Sequence, residues 1–545
     1  MVTAVARRAH AYPQIVLTAG DLVDTDVVTA APGITAADAL RFARRRRARV
    51  LVCGTAHVLV DDLARADTLG LGDVPARDVA RPLPIVAVRT PELVVRRALS
   101  EGAPAVIVPG RGAIARPALT RPLAVRGRLE HALPAATRVL LADIARVAAA
   151  QGARAFVVGG LVRDAWRRAA TSGDLDVVVE GDGPSVARAL ADALGGTLIE
   201  HERFLTASVR APGHGRVDVA TARSERYDAP GALPRVLPAS IAQDLQRRDF
   251  TVNAMAVELT SEGWDLLDPF AGALDLSRRR LRILHPLSFV EDPTRLLRAA
   301  RYASRLELRT DPWTARCRAL ALRLAPYSAL SGPRITTDLE RVLDEPRAAA
   351  ALEWLVRAGV PRLLDPRWRL TRLTVERLAA VPATLTWIRA HHAVRSVVGA
   401  ALVFADDQPP AVDEAMIKRL GISGEPLNEL RRALTEGGRL ARSIVTATPS
   451  VAGRALRATS GAELAALHLL GGAPRARAEW WVASGRAVEP LLTGHDVIAL
   501  GVPRGPSVAT VLAAVRDARL DGRVVDRAAE IDYVRSWRSN NERKG

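Results

Sequence analysis

The sequence predicts an α/β module at the N-terminus, an α+β domain in the middle and an elongated all-α region at the C-terminus. Short apolar strands alternate with helix-like stretches in the first part of the chain. Near residue 155 a strand that ends in two glycines is followed by a strand that begins with two aspartates. From about residue 278 the spacing of the apolar residues is helical almost to the end of the chain. We therefore divide the chain into residues 1–135, 137–277, 278–345 and 346–545.

The composition favours a multidomain protein with a polyanionic partner. The chain has 545 residues, of which 49% are apolar, so each predicted domain can bury a core. Its formal net charge is +18, and Lys418 and Lys544 are its only lysines. Arginine is permanently charged and suits phosphate recognition, which favours nucleic acid as the partner. A general bias of the sequence towards alanine and arginine is the alternative source of the charge.

The cysteines and the apolar runs indicate a cytoplasmic protein. Cys53 and Cys317 lie far apart and are interpreted as packing residues, which fits a reducing cytosol. No apolar run approaches the roughly 18 residues of a membrane span, and the first residues lack the long apolar core of a signal peptide. We therefore expect no membrane partner, and the sequence leaves the oligomeric state open.

The first 135 residues contain a weak internal repeat. The order helix, strand pair, helix occurs near residues 35–78 and again near 90–120, with strands at Arg49–Cys53 and Ala105–Val108. The two halves resemble a tandem CBS pair, a module that often binds adenine nucleotides, and this resemblance implies an adenine-nucleotide site. Because the segment lacks a glycine-rich phosphate loop, we expect it to regulate the protein's activity rather than to perform its chemistry.

The middle domain opens with a strand that ends in Gly159 and Gly160, ahead of Arg163 and Asp164. Glycine lets backbone N–H groups approach a phosphate closely, and the helix predicted next has a dipole that favours anions. A Gly-Gly pair alone is most often an ordinary helix start. Followed by paired aspartates, it predicts a phosphate-binding site.

The next strand carries Asp174 and Asp176 ahead of three valines. Residues i and i+2 of a strand point to the same face, so the two carboxylates project side by side. Such carboxylates repel, and each raises the pKa of the other unless a cation lies between them. Mg²⁺ binds carboxylate oxygens together with substrate phosphates. The pair therefore predicts a site for a metal-bound nucleoside triphosphate, although an isolated Asp-x-Asp is common in surface turns.

Three further blocks accompany these motifs: Asp244–Ala256, Asp268–Leu276 and Glu291–Tyr302. The whole set resembles the class II tRNA nucleotidyltransferase / poly(A) polymerase family of bacteria, from about residue 137 to the C-terminus. This resemblance implies a polymerase-beta-like nucleotidyltransferase head, a helical neck with a base-reading helix, and a helical body that binds tRNA.

The resemblance also implies roles for single residues. Gly159, Gly160 and Arg163 would hold the triphosphate, with Arg163 as its charge clamp. Asp174 and Asp176 would be the catalytic pair that binds Mg²⁺.

Other residues would contact the nucleoside. Arg248 would contact phosphate or ribose, and Asp249 would either orient the ribose or brace Arg248. Asp292 and Arg295 would read the incoming base, and Arg298 and Arg301 would close toward the nucleotide.

Two aspartates have competing interpretations. Asp292 before Pro293 is a good N-cap and N1 pair, whereas Asp292 and Arg295, three residues apart, would lie on one helix face and match a base edge. Asp218 is either a third carboxylate near the metals or a solvated aspartate at the end of a strand.

The sequence therefore predicts a template-independent, Mg²⁺-dependent nucleotidyltransferase that builds or repairs the CCA end of tRNA from CTP and ATP. An A-adding enzyme and a poly(A) polymerase share every motif and stay open as alternatives. A catalytically inactive RNA-binding nucleotide sensor is a third, against which the intact Asp174 and Asp176 argue.

Overall fold

The fold is given by a computed structural model, whose contacts divide the chain into two compact units, Met1–Leu330 and Ser331–Gly545. The predicted divisions near residues 136 and 277 both fall inside the first unit. In the described part of the chain, no helix is long and apolar enough to cross a membrane. The structure describes residues 17–115, 123–124, 133–169, 175–201, 205–210, 212–213, 215–260, 264–391, 395–405 and 408–542.

The N-terminal part of the first unit contains two small β-sheets with helices beside them. Its strands are β1 (Val27–Ala30), β2 (Val50–Cys53), β3 (Ala56–Leu59), β4 (Ala105–Val108) and β5 (Gly112–Ala115). Its α-helices are Ala36–Arg45, Val60–Thr68 and Glu92–Ser100. The predicted order of helix and strand pair occurs twice, and the helix that would close the second half lies outside the described residues. The CBS-like pair therefore stays a prediction.

A mixed β-sheet forms the head. The strands that follow in the chain are β6 (Leu123–Ala124), β7 (Arg154–Val158), β8 (Leu175–Glu180), β9 (Thr197–His201), β10 (Thr206–Arg210), β11 (Arg216–Thr221), β12 (Arg223–Arg226), β13 (Arg235–Pro238), β14 (Ala256–Leu259) and β15 (Trp264–Leu267). Among the described residues the sheet has eight strands in the order β6-β15-β14-β7-β8-β11-β10-β9. β8 and β11 are parallel neighbours, whereas β7 and β8 are antiparallel.

Alternating side chains of β7 and β8 build the core of the head. Phe156, Val158 and Val178 are buried and pack with Ile241 and Leu245 from the helix Ile241–Gln246. Fully burying such a side chain contributes about 1.5–3 kcal/mol relative to leaving it exposed. This packing fixes the helix, and the arginines that follow it, against the sheet.

β12 and β13 form a separate antiparallel hairpin in which Arg223 pairs with Pro238. The glycine and prolines between residues 223 and 238 suggest a loop from sequence, but the flanking residues pair as strands. The other helices of the first unit are Ala135–Ala150, Gly160–Trp166, Gly183–Leu194, Gly272–Ser277, Ser288–Glu291, Arg295–Arg305 and Pro312–Arg323, with the short strands β16 (Arg280–Leu281) and β17 (Arg309–Thr310).

Every secondary-structure element that the structure describes in the second unit is a helix, which confirms the predicted all-α C-terminal region. Its core includes Trp368, whose Nε1 donates to the Phe404 carbonyl oxygen at 2.7 Å. The helices are Gly332–Leu343, Ala348–Arg357, Arg372–Leu378, Val381–His391, Ser396–Ala405, Pro410–Leu420, Glu425–Val445, Pro449–Arg457, Gly461–Leu470, Gly472–Ala483, Gly494–Ala499, Pro506–Leu520 and Arg527–Glu542.

Candidate active site

Asp176 and Asp218 lie next to each other on one face of the head sheet. The register of β8 and β11 places Asp176 opposite Asp218, and directly paired residues on adjacent strands point to the same face. Oδ1 of Asp218 accepts hydrogen bonds from Ser208 Oγ at 2.5 Å and from Arg216 Nε at 2.7 Å. Asp174, the other predicted ligand, lies outside the described residues.

Gly159 brings the phosphate motif to the same place. Its backbone has φ +71° and ψ −128°, a conformation that L side chains rarely adopt. A Cβ atom built on Gly159 would lie 3.6 Å from Asp176 Oδ2 and 3.6 Å from Arg248 Nη1. The structure therefore brings together Gly159, Asp176 and Arg248, which come from three separate blocks of the sequence. A Cβ atom on Gly160 would lie 3.6 Å from Arg163 Nη2.

Arg163 lies in the protein interior with its donors already engaged. Its Nε and Nη2 donate to the two oxygens of Asp164 at 2.9 and 2.8 Å, and its Nη1 donates to Asn253 Oδ1 at 2.8 Å. Its guanidinium carbon also lies 5.5 Å from the centre of the Tyr302 ring. These contacts show Arg163 bracing neighbouring elements. Its role as a clamp on the triphosphate stays a prediction.

Asp244 positions both arginines of the Arg-Arg-Asp block. It is fully buried; Oδ1 accepts from Arg247 Nη2 at 2.7 Å, and Oδ2 accepts from Arg248 Nη2 at 2.8 Å. Burial alone would raise the pKa of Asp244, but Arg248 and Arg247 lower it below its usual range. The prediction from sequence gives Asp244 no role, although its i, i+3, i+4 spacing to two arginines is the signal that identifies it.

A chain of ion pairs joins this block to the predicted base-reading residues. Asp249 Oδ2 accepts from Arg298 Nε at 3.2 Å, and Arg298 Nη2 donates to Asp292 Oδ2 at 2.9 Å. Asp249 Oδ1 accepts from Asn253 Nδ2 at 3.0 Å. Asp249 therefore holds Arg298, whereas Arg248 is held by Asp244.

The helix that carries the predicted base readers begins later than the sequence suggests. Thr294 is the N-cap of Arg295–Arg305, and Asp292 follows the short helix Ser288–Glu291 as its C-cap. Asp292 Oδ1 accepts from the Thr294 backbone N–H at 3.1 Å and from Thr294 Oγ1 at 2.8 Å. The predicted pairing of Asp292 with Arg295 on one helix face is therefore replaced by the ion pair between Asp292 and Arg298.

The other two predicted nucleotide-binding residues of this helix, Arg295 and Arg301, have different surroundings. Arg295 is 3% exposed, and its Nη1 donates to Ser288 Oγ at 2.7 Å while its Nη2 donates to the Arg247 carbonyl oxygen at 2.7 Å. These bonds tie the helix to the Arg-Arg-Asp block. The guanidinium carbon of Arg301 lies 5.9 Å from the centre of the Tyr302 ring.

The donors around Asp176 fit a hard divalent cation. Asp176 and Asp218 supply carboxylate oxygens, the atoms that Mg²⁺ prefers, and Mg²⁺ commonly takes its other ligands from substrate phosphates and water. Among the described residues no group of three or more His, Cys, Asp or Glu side chains is placed to hold a metal ion.

Comparison with known proteins places these motifs in a family. Residues 155–282 match the model of the Poly A polymerase head domain. An A-adding tRNA nucleotidyltransferase of Halalkalibacterium halodurans is 30% identical over 429 residues, which cover 75% of this chain and 94% of that protein. A CC-adding tRNA nucleotidyltransferase of Deinococcus radiodurans is 33% identical over 405 residues, which cover 74% and 94%.

Other similar proteins differ in length or in sequence. The chain spans about half (47%) of an A-adding tRNA nucleotidyltransferase of Geobacter sulfurreducens, with 32% identity over 415 residues, 73% of this chain. A solved CCA-adding enzyme in complex with ATP has a TM-score of 0.65 and 26% identity, covering 76% of this chain and 99% of that one. Since two relatives match over nearly their whole length and the site motifs converge in the head, this chain belongs to the class II tRNA nucleotidyltransferase family.

Proposed function

We propose that this protein adds nucleotides to the 3′ end of tRNA without a template and completes the CCA end from CTP and ATP. The close approach of Gly159, Asp176 and Arg248 in the head carries the proposal. The glycine lets a phosphate approach the backbone, the aspartate offers a carboxylate to a metal ion, and the arginine supplies a positive charge. A relative named A-adding matches 75% of this chain and 94% of its own length, so an enzyme that adds only A is the second candidate.

The reaction in this proposal is attack of the terminal ribose hydroxyl on the α-phosphorus of the nucleotide. A new O–P bond forms while the bond to pyrophosphate breaks, and catalysis depends on positioning and on neutralising charge. Gly159 and Gly160 let the phosphates approach the backbone. Arg248, held in place by Asp244, contacts the phosphates or the ribose. Because two N–H groups of Arg248 donate to the carboxylate of the buried Asp244, the guanidinium keeps a fixed orientation.

Enzymes of this family generally depend on a divalent metal ion, and we propose Mg²⁺ here. Asp174 and Asp176 are the proposed ligands, and the register of the strands supports Asp218 as a third carboxylate on the same face. Bound Mg²⁺ would supply charge neutralisation at the phosphate oxygens.

We propose that Asp292 takes part in base choice together with Arg298, and that Arg295 and Arg301 support the same helix. Asp292→Ala is expected to relax the choice among CTP, ATP, UTP and GTP about tenfold or more, because Arg298 loses one of its carboxylate acceptors. Incorporation of each nucleotide, measured beside a melting curve, checks this. Thr294→Val is the matched control, since it removes the Thr294 hydroxyl contact and keeps the carboxylate. If Asp292→Ala lowers the melting temperature but leaves base choice unchanged, Asp292 has only a structural role.

We propose that the unit Ser331–Gly545 binds the tRNA through its arginines. The 21-residue helix Glu425–Val445 exposes four of them, Arg431, Arg432, Arg439 and Arg442. Exposed arginines contact phosphates independently of sequence, and the net charge of +18 supports a polyanionic substrate. A cytoplasmic location belongs to the same proposal and is supported by the two buried free thiols, Cys53 and Cys317.

The experiment that tests the function uses tRNA transcripts that end before the CCA, after C or after CC, with CTP and ATP offered separately and the products sequenced. We expect C to be added to the first two ends and A to the third. Addition of A alone, only to the CC end, would identify the A-adding enzyme, and long A tails would identify a poly(A) polymerase. No extension of any end would favour the inactive nucleotide sensor.

We also propose that the N-terminal module binds an adenine nucleotide. A cavity of about 610 Å³, a volume typical of small-molecule sites, is lined by Arg49, Arg81 and Pro84 of this module and by Phe270 and Trp313. Aromatic rings and arginines suit a base and its phosphates.

Equilibrium dialysis tests this proposal. The wild-type protein should bind two ATP molecules per chain, one in the head and one in the cavity. Arg49→Ala should bind one and keep the head site, since Arg49 lies at the cavity wall. One ATP per chain in both proteins would contradict a second site.

A further inference from the structure

An ion pair joins the N-terminal module to the segment that precedes the base-reading residues. Arg65, on the helix Val60–Thr68, places Nη1 2.5 Å from Glu291 Oε1, although 226 residues separate the two in the chain. Glu291 ends the short helix Ser288–Glu291 and directly precedes Asp292. The module therefore contacts the polypeptide one residue away from the proposed site of base choice.

Glu291 is a buried carboxylate whose charge requires partners. Its side chain is 4% exposed, and Oε2 lies 3.2 Å from His285 Nε2 and 4.0 Å from Arg295 Nη1. Burial alone would raise the pKa of Glu291, but His285, Arg65 and Arg295 lower it to about 2. Burial, followed by Arg65, lowers the pKa of His285 to about 4. At neutral pH Glu291 is charged and His285 is neutral, so Arg65 and Arg295 are the cations that face Glu291.

The short helix also holds Arg295, because Ser288 Oγ accepts from Arg295 Nη1 at 2.7 Å. A displacement of Glu291 therefore moves Ser288 and Asp292 with it. We propose that Arg65 is a positioning residue for base choice, which fixes Glu291 and thereby sets where Asp292 and Arg295 meet the incoming base. This inference rests on the proposed function and extends the catalytic apparatus into the N-terminal module.

Arg65 acts beside other anchors, so its effect is separable from the docking of the module. Arg81 Nη1 donates to the Leu284 carbonyl oxygen at 2.7 Å. Trp313 Nε1 and Arg316 Nη2 donate to the Ala80 carbonyl oxygen at 2.9 and 2.8 Å. Replacing Arg65 leaves these bonds in place and removes from Glu291 the nearer of the two cations that face it.

The test compares the full-length wild-type protein with Arg65→Ala, Arg65→Lys and the double variant Arg65→Ala/Glu291→Gln. Arg41→Ala is the control, since Arg41 forms an exposed pair with Asp38 in the same module. For the tRNA end that the wild-type protein extends, kcat/KM is measured with ATP, CTP, GTP and UTP, and melting curves are recorded for every variant.

The preference for the correct nucleotide should fall about tenfold in Arg65→Ala, as expected when a charge-assisted hydrogen bond that orders a segment is lost. It should recover in part in Arg65→Lys, which restores the charge, and should be no lower in the double variant than in Arg65→Ala, because the buried carboxylate that lost Arg65 is then neutral. Arg41→Ala should keep the wild-type preference.

Unchanged base preference in Arg65→Ala, with or without a lower melting temperature, would overturn the inference while the proposed function stands. A preference in Arg65→Lys no better than that in Arg65→Ala would also overturn it, because a restored cation opposite Glu291 would then have no effect. A wild-type protein that extends no tRNA end would overturn the proposed function and the inference together.

Discussion

Asp176→Ala is expected to lower nucleotide addition by a factor of about 100 to 1,000 or more, the range seen when one group that stabilises transition-state charge is removed. The carboxylate lies 3.6 Å from the position of a Cβ atom on Gly159 and opposite Asp218 on the next strand. Binding of tRNA should be nearly unchanged, because the proposed RNA contacts are arginines of the second unit. Steady-state addition rates at saturating Mg²⁺, together with tRNA affinity by filter binding, measure both effects.

Asp192→Ala is the control for this variant, because Asp192 is an exposed carboxylate on a helix of the same domain. It should keep the wild-type rate. Ordinary turnover in Asp176→Ala with Mg²⁺ present would remove Asp176 from the metal site. A loss of tRNA binding that matches the loss of rate would instead indicate a role in RNA binding or folding.

Asp244→Ala is expected to destabilise the first unit by about 3–5 kcal/mol, the usual cost of removing one partner from a buried ion pair. Asp244 accepts from Arg247 and Arg248, whose side chains are 18% and 17% exposed, so both would lose this buried carboxylate, while Arg247 would keep Glu225. Nucleotide addition should fall as well, since Arg248 loses its orientation. Urea unfolding and the KM for ATP measure these two effects.

Asp143→Ala serves as the matched control, because Asp143 pairs with Arg146 on an exposed helix face three residues away. Exposed pairs of this kind contribute about 0–1 kcal/mol. A free energy of unfolding for Asp244→Ala equal to that of Asp143→Ala would mean that the two arginines find other acceptors.

The fold followed closely from local patterns in the sequence. Apolar runs of strand length and helical spacing predict β7, β8 and the C-terminal helices, because burial of one face determines each element. The antiparallel hairpin of β12 and β13 is missed, since glycine and proline between the two strands obscure a pairing that depends on contacts rather than on propensity.

The site shows where sequence reasoning stops. Asp-x-Asp and Gly-Gly predict a phosphate and metal site, but no local signal places Asp218 beside Asp176, since the order of strands in a sheet is a property of the whole fold. The Asp292-Pro293 pair predicts that the helix begins at Pro293, two residues before its actual start at Arg295. Because of this later start, Asp292 pairs with Arg298. The contact of Arg65 with Glu291 spans 226 residues and has no sequence signature.

The central claim is transfer of a nucleotidyl group to an RNA end, and one measurement tests it most directly. A tRNA that ends in CC is incubated with the protein, Mg²⁺ and ATP labelled at the α-phosphorus, and the label and the released pyrophosphate are counted. The account predicts one labelled A per tRNA with one pyrophosphate released for each, and labelling at least about 100 times slower with Asp176→Ala. Label that stays in free nucleotide, or hydrolysis to ADP and phosphate without labelled RNA, would contradict it.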